Sequence, residues 1–308
     1  MTTRTGPQTY PGASQAYRYQ QRFGGSAMEV NVVALHATEG RTLPDYGGGA
    51  SAPTLTAVPD CKARKLKWYQ HFDIDTSARA LLNLPGGVET NTNNVCQVEK
   101  VGTCDPGTRT KWTKAGYVQD VDFVFWPDAP EWALAEVAEF LAWMNRQHGV
   151  PLSGPSSWPA YPSSYGATKA RMSFAEWNAF RGVCGHMHVP ENSHGDPGAI
   201  DFDRLIHLAK QSVGEPSAPP EPSRPKYQPY PGGSWFRKAP RSAVVTAMGK
   251  RLVAVGCSAY SSGPGPQWTE ADRRSYAKWQ RKQGHTGTAA DGWPGIATWT
   301  ALKVPYTG

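Results

Sequence analysis

Within Gly185-His186-Met187-His188-Val189-Pro190-Glu191-Asn192-Ser193-His194-Gly195-Asp196-Pro197-Gly198, three of the chain's eight histidines fall inside nine residues, and a carboxylate follows the last by two. Glycine and proline interrupt any helix here. Three imidazoles cannot all be buried without partners, whereas a divalent metal asks for neutral imidazole nitrogen and carboxylate oxygen from a rigid loop. On these residues alone a metal site and a polar, solvated loop are equally open. A further histidine comes from the other end of the chain. Met28-Glu29-Val30-Asn31-Val32-Val33-Ala34-Leu35 reads as a mostly apolar strand that runs into His36-Ala37-Thr38-Glu39-Gly40, a common way to present a ligand from a fixed scaffold. If residues 186–188 are extended, His186 and His188 share a face, so His188 can replace either neighbour; His194 can also bind metal.

Leu35-His36-Ala37-Thr38-Glu39-Gly40, Gly185-His186, and Asp196-Pro197-Gly198 ten residues beyond that histidine together resemble the zinc amidases of the peptidoglycan-recognition family. These are N-acetylmuramoyl-L-alanine amidases of the second type, which include many bacteriophage endolysins. The likeness covers roughly residues 28–210. It implies Zn2+ held by His36, His186 and Asp196, and a catalytic carboxylate at Glu99, reached through an Asn-rich loop and a short strand. His194 stands where the family usually has a lysine that stabilises the oxyanion, and histidine is neutral near pH 7 unless its pKa is raised. His71, Thr38 and Asn94 are the substrate-side residues the resemblance implies. The implied reaction is hydrolysis of the amide between N-acetylmuramic acid and L-alanine. The alternative is a protein that recognises peptidoglycan without cutting it; non-catalytic relatives typically lack a zinc ligand, and all three are present here with Glu99.

The elements that must position these residues predict an α/β fold, a mixed central sheet flanked by helices, followed by a small C-terminal three-helix module. Trp68 to Ile74 reads as a second strand, with His71 equally well a packed, backbone-bonded residue. Val95 to Gly102 alternates as a strand, with Glu99 and Lys100 on opposite faces. Asp128-Ala129-Pro130 opens a helix with Asp128 as N-cap; Leu134, Val137, Leu141 and Met144 share its apolar face, and Gly149 ends it. Shorter helices are read over Ser173 to Arg181 and from Asp201. The expected organisation is an arm over 1–27, the catalytic domain over 28–212, a Pro-rich linker over 213–233 and a peptidoglycan-binding domain over 234–308. Five prolines fall in the twelve residues Gly214 to Pro225, the composition of a semi-rigid spacer. Trp279-Gln280, Asp291-Gly292, Gly295, Thr298-Trp299 and Leu302 resemble the three-helix peptidoglycan-binding domain, with a long insert over Ser258 to Gln267.

Charge separates the two parts. Residues 1–212 hold 19 Lys+Arg against 20 Asp+Glu, whereas residues 213–308 hold 13 against 5. A basic module beside a near-neutral one points to an anionic polymer. No nucleic-acid motif accompanies the charge, so the expected partner is bacterial peptidoglycan, bound by a monomer. No run of about 18 apolar residues is present, and the polar first 25 residues lack a secretory signal. The expectation is synthesis in a host cytoplasm without membrane insertion, with action on the wall after release. Five cysteines without a C-x-x-C pair are expected as reduced thiols, Cys184 among them as packing.

Overall fold

A computed structural model describes residues 6–214 and 227–307. The chain divides into two compact units, Met1–Pro220 and Glu221–Gly308. The first is built on a five-stranded sheet: β1 Val32–Ala37, β2 Leu55–Asp60, β3 Lys65–Gln70, β4 Val95–Lys100 and β5 Gly182–Gly185. The order is β3-β2-β4-β1-β5, with β3 antiparallel to β2 and the other neighbours parallel. The α/β mixed sheet flanked by helices is therefore the fold. β1 is buried along its whole length, as a central parallel strand covered on both faces must be. Alternation sends Val33, Leu35 and Ala37 into the main core and Val32 and Ala34 to the opposite face against Trp177 and Cys184.

The helices in chain order are α1 Gln20–Phe23, α2 Pro106–Lys114, α3 Glu131–His148, α4 Phe174–Ala179 and α5 Phe202–Val213. The apolar stripe of α3 predicted from sequence, Leu134, Val137, Leu141 and Met144, is buried in the main core, and Gly149 ends the helix in the left-handed conformation. Its start differs from expectation. Asp128 lies in a 3-10 turn and Pro130 takes the cap position without a side-chain bond. Two elements were not legible in advance: α2, whose polar sequence buries no residue but is capped by Asp105, and β2, which carries Pro59. Pro59 is tolerated because the β2–β4 pairing stops at Ala57.

The N-terminal segment is docked as an added edge. Ser14 N–H donates to Trp68 O at 2.8 Å and Gln70 N–H donates to Ser14 O at 2.9 Å, extending the sheet beyond β3. Tyr10 packs edge-on to Trp68, Phe140 and Trp143 at 5.0–5.2 Å. Among the described residues no helix is long and apolar enough to cross a membrane, and the five cysteines are free thiols.

The second unit holds α6 Gly233–Arg237, α7 Ala243–Ala254, α8 Glu270–Lys282 and α9 Ile296–Leu302, packed round Phe236, Met248, Tyr276, Trp279 and Trp299. The residues of the sequence motif serve as its pins. Trp279 Nε1 donates to Thr298 O at 2.9 Å, and Gln280 both donates to Trp293 O and accepts from Gly292 N–H. Gly292 has φ +82°, and a Cβ there would meet Arg273 O at 2.2 Å. The insert over 258–267 folds back onto the helices: the Tyr260 hydroxyl donates to Asp272 at 2.9 Å. Of the expected linker, residues 215–226 lie outside the described residues; Val213 ends α5, and Tyr227 pairs with Pro305.

Candidate metal centre

The parallel strands β1, β4 and β5 end together, and open parallel sheets gather ligands at such carboxyl ends. His36 is the penultimate residue of β1, Glu99 stands in register with it on β4, and His186 follows β5 directly. Gly185 makes that exit possible, because a Cβ there would meet Pro197 Cδ at 2.7 Å and Trp158 at 2.9 Å. The same close approach brings Asp196 in. Its Oδ2 accepts from Ala37 N–H at 2.9 Å and its Oδ1 lies 3.3 Å from His186 Nδ1. His36 Nδ1 is 3.8 Å from Asp196 Oδ2 and 3.7 Å from Glu99 Oε1. One ligand atom from each of His36, His186 and Asp196 lies within 4.8 Å of the other two, and all three residues are buried.

The proton arrangement shows what the cluster lacks. His186 Nε2 is 3.0 Å from Asn192 Oδ1, which only accepts, so that nitrogen carries the hydrogen. The Asn192 amide is itself fixed, its Oδ1 accepting from Leu82 N–H and its Nδ2 donating to Pro190 O. His186 Nδ1, 3.3 Å from Asp196 Oδ1, is the ring nitrogen that remains to face the carboxylate. Both ring nitrogens of His36 and Glu99 Oε2 are buried without a hydrogen-bond partner. Buried polar atoms left without a partner are unfavourable, and two imidazoles with one carboxylate suit a divalent ion of the zinc type. These residues fit such an ion.

The electrostatics agree. Burial, then the neighbouring His186, holds the His36 pKa well below its usual value, keeping it neutral as a ligand must be. Burial acts to raise the Asp196 pKa, but His186, His36 and the Ala37 N–H outweigh it and keep the group ionised. Burial and the Asp196 charge push Glu99 well above the carboxylate range, the environment of a proton acceptor. His194 stacks on His186 at 4.7 Å with 6° between the rings, its Nδ1 3.9 Å from Asp196 Oδ1. Burial and His186 lower its pKa, so it stands at the rim as a neutral donor. A cavity of about 250 Å3 opens beside Asp196, lined by Glu39, Asp105, Tyr161, Tyr165 and His194 among others.

Three expectations change. Residues 186–188 form a 3-10 turn rather than a strand, so His188 does not share a face with His186. Its Nδ1 accepts from Gly185 N–H and its Nε2 donates to Ser157 O. Both nitrogens are used, and His188 is no alternative ligand. Asn94, expected on the substrate side, precedes β4 and accepts from Asn31 and Val32 N–H. Five residues of strand separate it from Glu99, roughly 16 Å, and it sits at the opposite end of the sheet. His71 is fully buried, with Nδ1 2.8 Å from Tyr17 O and Nε2 2.9 Å from Thr56 Oγ1; neither nitrogen is left for a ligand. Thr38 stays at the site end, its hydroxyl accepting from Gly40 N–H.

Sequence reasoning missed Asn192, though it lies inside the loop that was singled out. It also missed Arg171, whose guanidinium donates to the carbonyls of Gly166, Val189 and His194 and so clamps the metal loop. Lys100 is fully buried; its Nζ donates to His36 O at 2.8 Å and lies 5.0 Å over the Trp126 ring. Burial lowers its pKa to about 8.

No family model and no curated protein matches this chain. Among solved structures it is similar to a selenomethionine derivative of AmpD, at 12% identity and TM-score 0.36, covering 66% of this chain and 98% of that one. It is also similar to AmpDh3 from Pseudomonas aeruginosa, at 13% identity and TM-score 0.32, covering 96% and 98%. A third is a mutant endolysin from Bacillus subtilis, at 15% identity and TM-score 0.26, covering 49% and 80%. At these scores the likenesses add nothing to what the site itself shows.

Two outcomes follow from the site. Asn192→Ala frees the His186 tautomer and lowers zinc affinity about 10- to 100-fold, measured by competition with a chromophoric chelator. His71, with its pKa lowered by burial to about 4, binds its proton in the unfolded chain first. Between pH 6.5 and 4 the unfolded state therefore holds more protons, and stability falls as pH falls through that window. Denaturant unfolding at pH 7 and pH 4.5 should show that loss, and it should shrink in His71→Gln.

Proposed function

We propose that this protein is a zinc-dependent amidase that cuts the bond between N-acetylmuramic acid and L-alanine in bacterial peptidoglycan, as a phage lysis enzyme. The observation that supports it most is the gathering of three buried ligands within 4.8 Å of one another, with the ring nitrogens of His36 lacking a hydrogen-bond partner and Glu99 3.7 Å from His36. The sequence motif shared with the type 2 amidases supplies the substrate class. A recognition-only role has no feature in its favour, since all three ligands are present and Glu99 lies 3.7 Å from His36.

In this reading His36, His186 and Asp196 hold the ion. When bound, zinc supplies Lewis acidity, polarising a carbonyl and making water a nucleophile near neutral pH. The chain's own groups handle protons and position. Glu99, 3.7 Å from His36 and with Oε2 unpartnered, takes the proton of the attacking water and returns it to the departing amine. His194, neutral and at the rim, donates a hydrogen bond toward the oxygen that gains charge, so activity declines less steeply at high pH than with a titrating lysine there. Asn192 and Arg171 keep the loop from reorganising during turnover. The basic second unit retains the enzyme on the anionic wall.

Purified cell walls digested with the protein and read by mass spectrometry should yield free N-terminal alanine on intact glycan strands. New reducing sugar ends would reject the amidase. Glu99→Gln should retain zinc and lose about 10²- to 10⁴-fold in kcat.

A further inference from the structure

Resting on that reading, we infer that the Tyr46 hydroxyl oxygen is an obligate hydrogen-bond acceptor for an N–H of the peptide substrate, oriented by a relay anchored in the N-terminal segment. The proton positions along this relay are forced one after another. His71 Nδ1 lies 2.8 Å from the Tyr17 carbonyl oxygen, which can only accept, so Nδ1 carries the hydrogen. His71 is fully buried and neutral near pH 7, which leaves Nε2 bare. Thr56 Oγ1, 2.9 Å from Nε2, must donate to it. The single Thr56 proton is thereby committed. Tyr46 Oη, 2.7 Å from the same Thr56 oxygen, must then be the donor in that contact. The phenol has one hydrogen, so toward the site it offers lone pairs only.

The register places those lone pairs. Thr56 pairs with Glu99 across adjacent parallel strands, so their side chains share a face about 5 Å apart. The Glu99 charge reaches the phenol and, after burial, is the next cause of its raised pKa. Tyr46 is half-buried, with its ring edge-on to His71 at 5.5 Å. Tyr19 stacks on the same imidazole at 5.3 Å. Tyr17 and Tyr19 thus grip the imidazole from the N-terminal segment, and Arg18 between them pairs with Asp73. His71, which offers nothing to a ligand directly, acts as a positioning residue through Thr56 and Tyr46. An amide-rich stem peptide supplies the N–H donors such an acceptor selects, and a carbonyl placed there would be repelled.

The test is a double-mutant cycle with Thr56→Val and Tyr46→Phe, read as kcat/KM on a soluble muramyl peptide, beside 15N NMR of the histidine tautomers. Tyr46→Phe should cost roughly 5-fold, Thr56→Val about as much, and the pair no more than either alone, because both remove one oriented acceptor. Unfolding temperatures should also fall less than additively, since either change breaks the one Tyr46–Thr56 hydrogen bond. The NMR should show His71 protonated at Nδ1 and bare at Nε2. Multiplicative losses in kcat/KM, or a His71 protonated at Nε2, overturn the relay. A wild type that cuts no wall amide sinks the amidase reading instead, and the tautomer still decides the relay independently.

Discussion

Two imidazoles and one carboxylate bring a ligand atom each within 4.8 Å of one another in the interior, and the rest of the first unit is arranged around that constraint. His36, His186 and Asp196 come from positions up to 160 residues apart. Their approach is fixed by backbone: β1 flanked by β4 and β5 in parallel register, and a loop that can close only because Gly185 has no side chain. A carboxylate bonded to the Ala37 N–H locks the loop to the strand whose histidine it joins. These contacts hold the polar atoms together in a dry site, a cost that falls on the apo form and drops away when a cation is bound.

The local charge explains why the Glu99 carboxyl holds its proton more tightly than an ordinary carboxylate. Asp196 and Glu39 surround it with negative charge, and burial adds to their effect. Among the described residues the buried lysine, Lys100, sits on the other face of β4 and bonds the carbonyl of His36 rather than a carboxylate. It tempers the site's negative field while leaving the Glu99 oxygen free. Glu39 is tied down separately, accepting from Cys104 N–H at 2.7 Å and from the Thr103 hydroxyl, which keeps it out of the ligand set.

Much of this was readable in the residues because it followed from periodicity. The strand into His36, the alternation that puts Glu99 and Lys100 on opposite faces, and the apolar stripe of α3 all obey simple repeats. What escaped reading depends on tertiary context. His186 and His188 look alike in sequence, and only the 3-10 turn separates a residue facing Asp196 from one bonded to Gly185 and Ser157. Asn94 belongs to a loop at the far end of a strand whose direction the sequence does not state. Asn192 and Arg171 act on backbone carbonyls and a ring nitrogen brought near by the fold, and no local pattern marks them. Pro59 hid β2, since a proline argues against a strand unless its partner has already ended.

The central claim is that one divalent ion sits between β1 and the loop after β5. It is tested most directly by elemental analysis of the purified protein after dialysis against dilute zinc. The account predicts one zinc per chain in the wild type and none retained in His36→Ala or Asp196→Ala variants that remain folded by circular dichroism. A wild type that binds no zinc, or variants that hold it as tightly, would contradict the account.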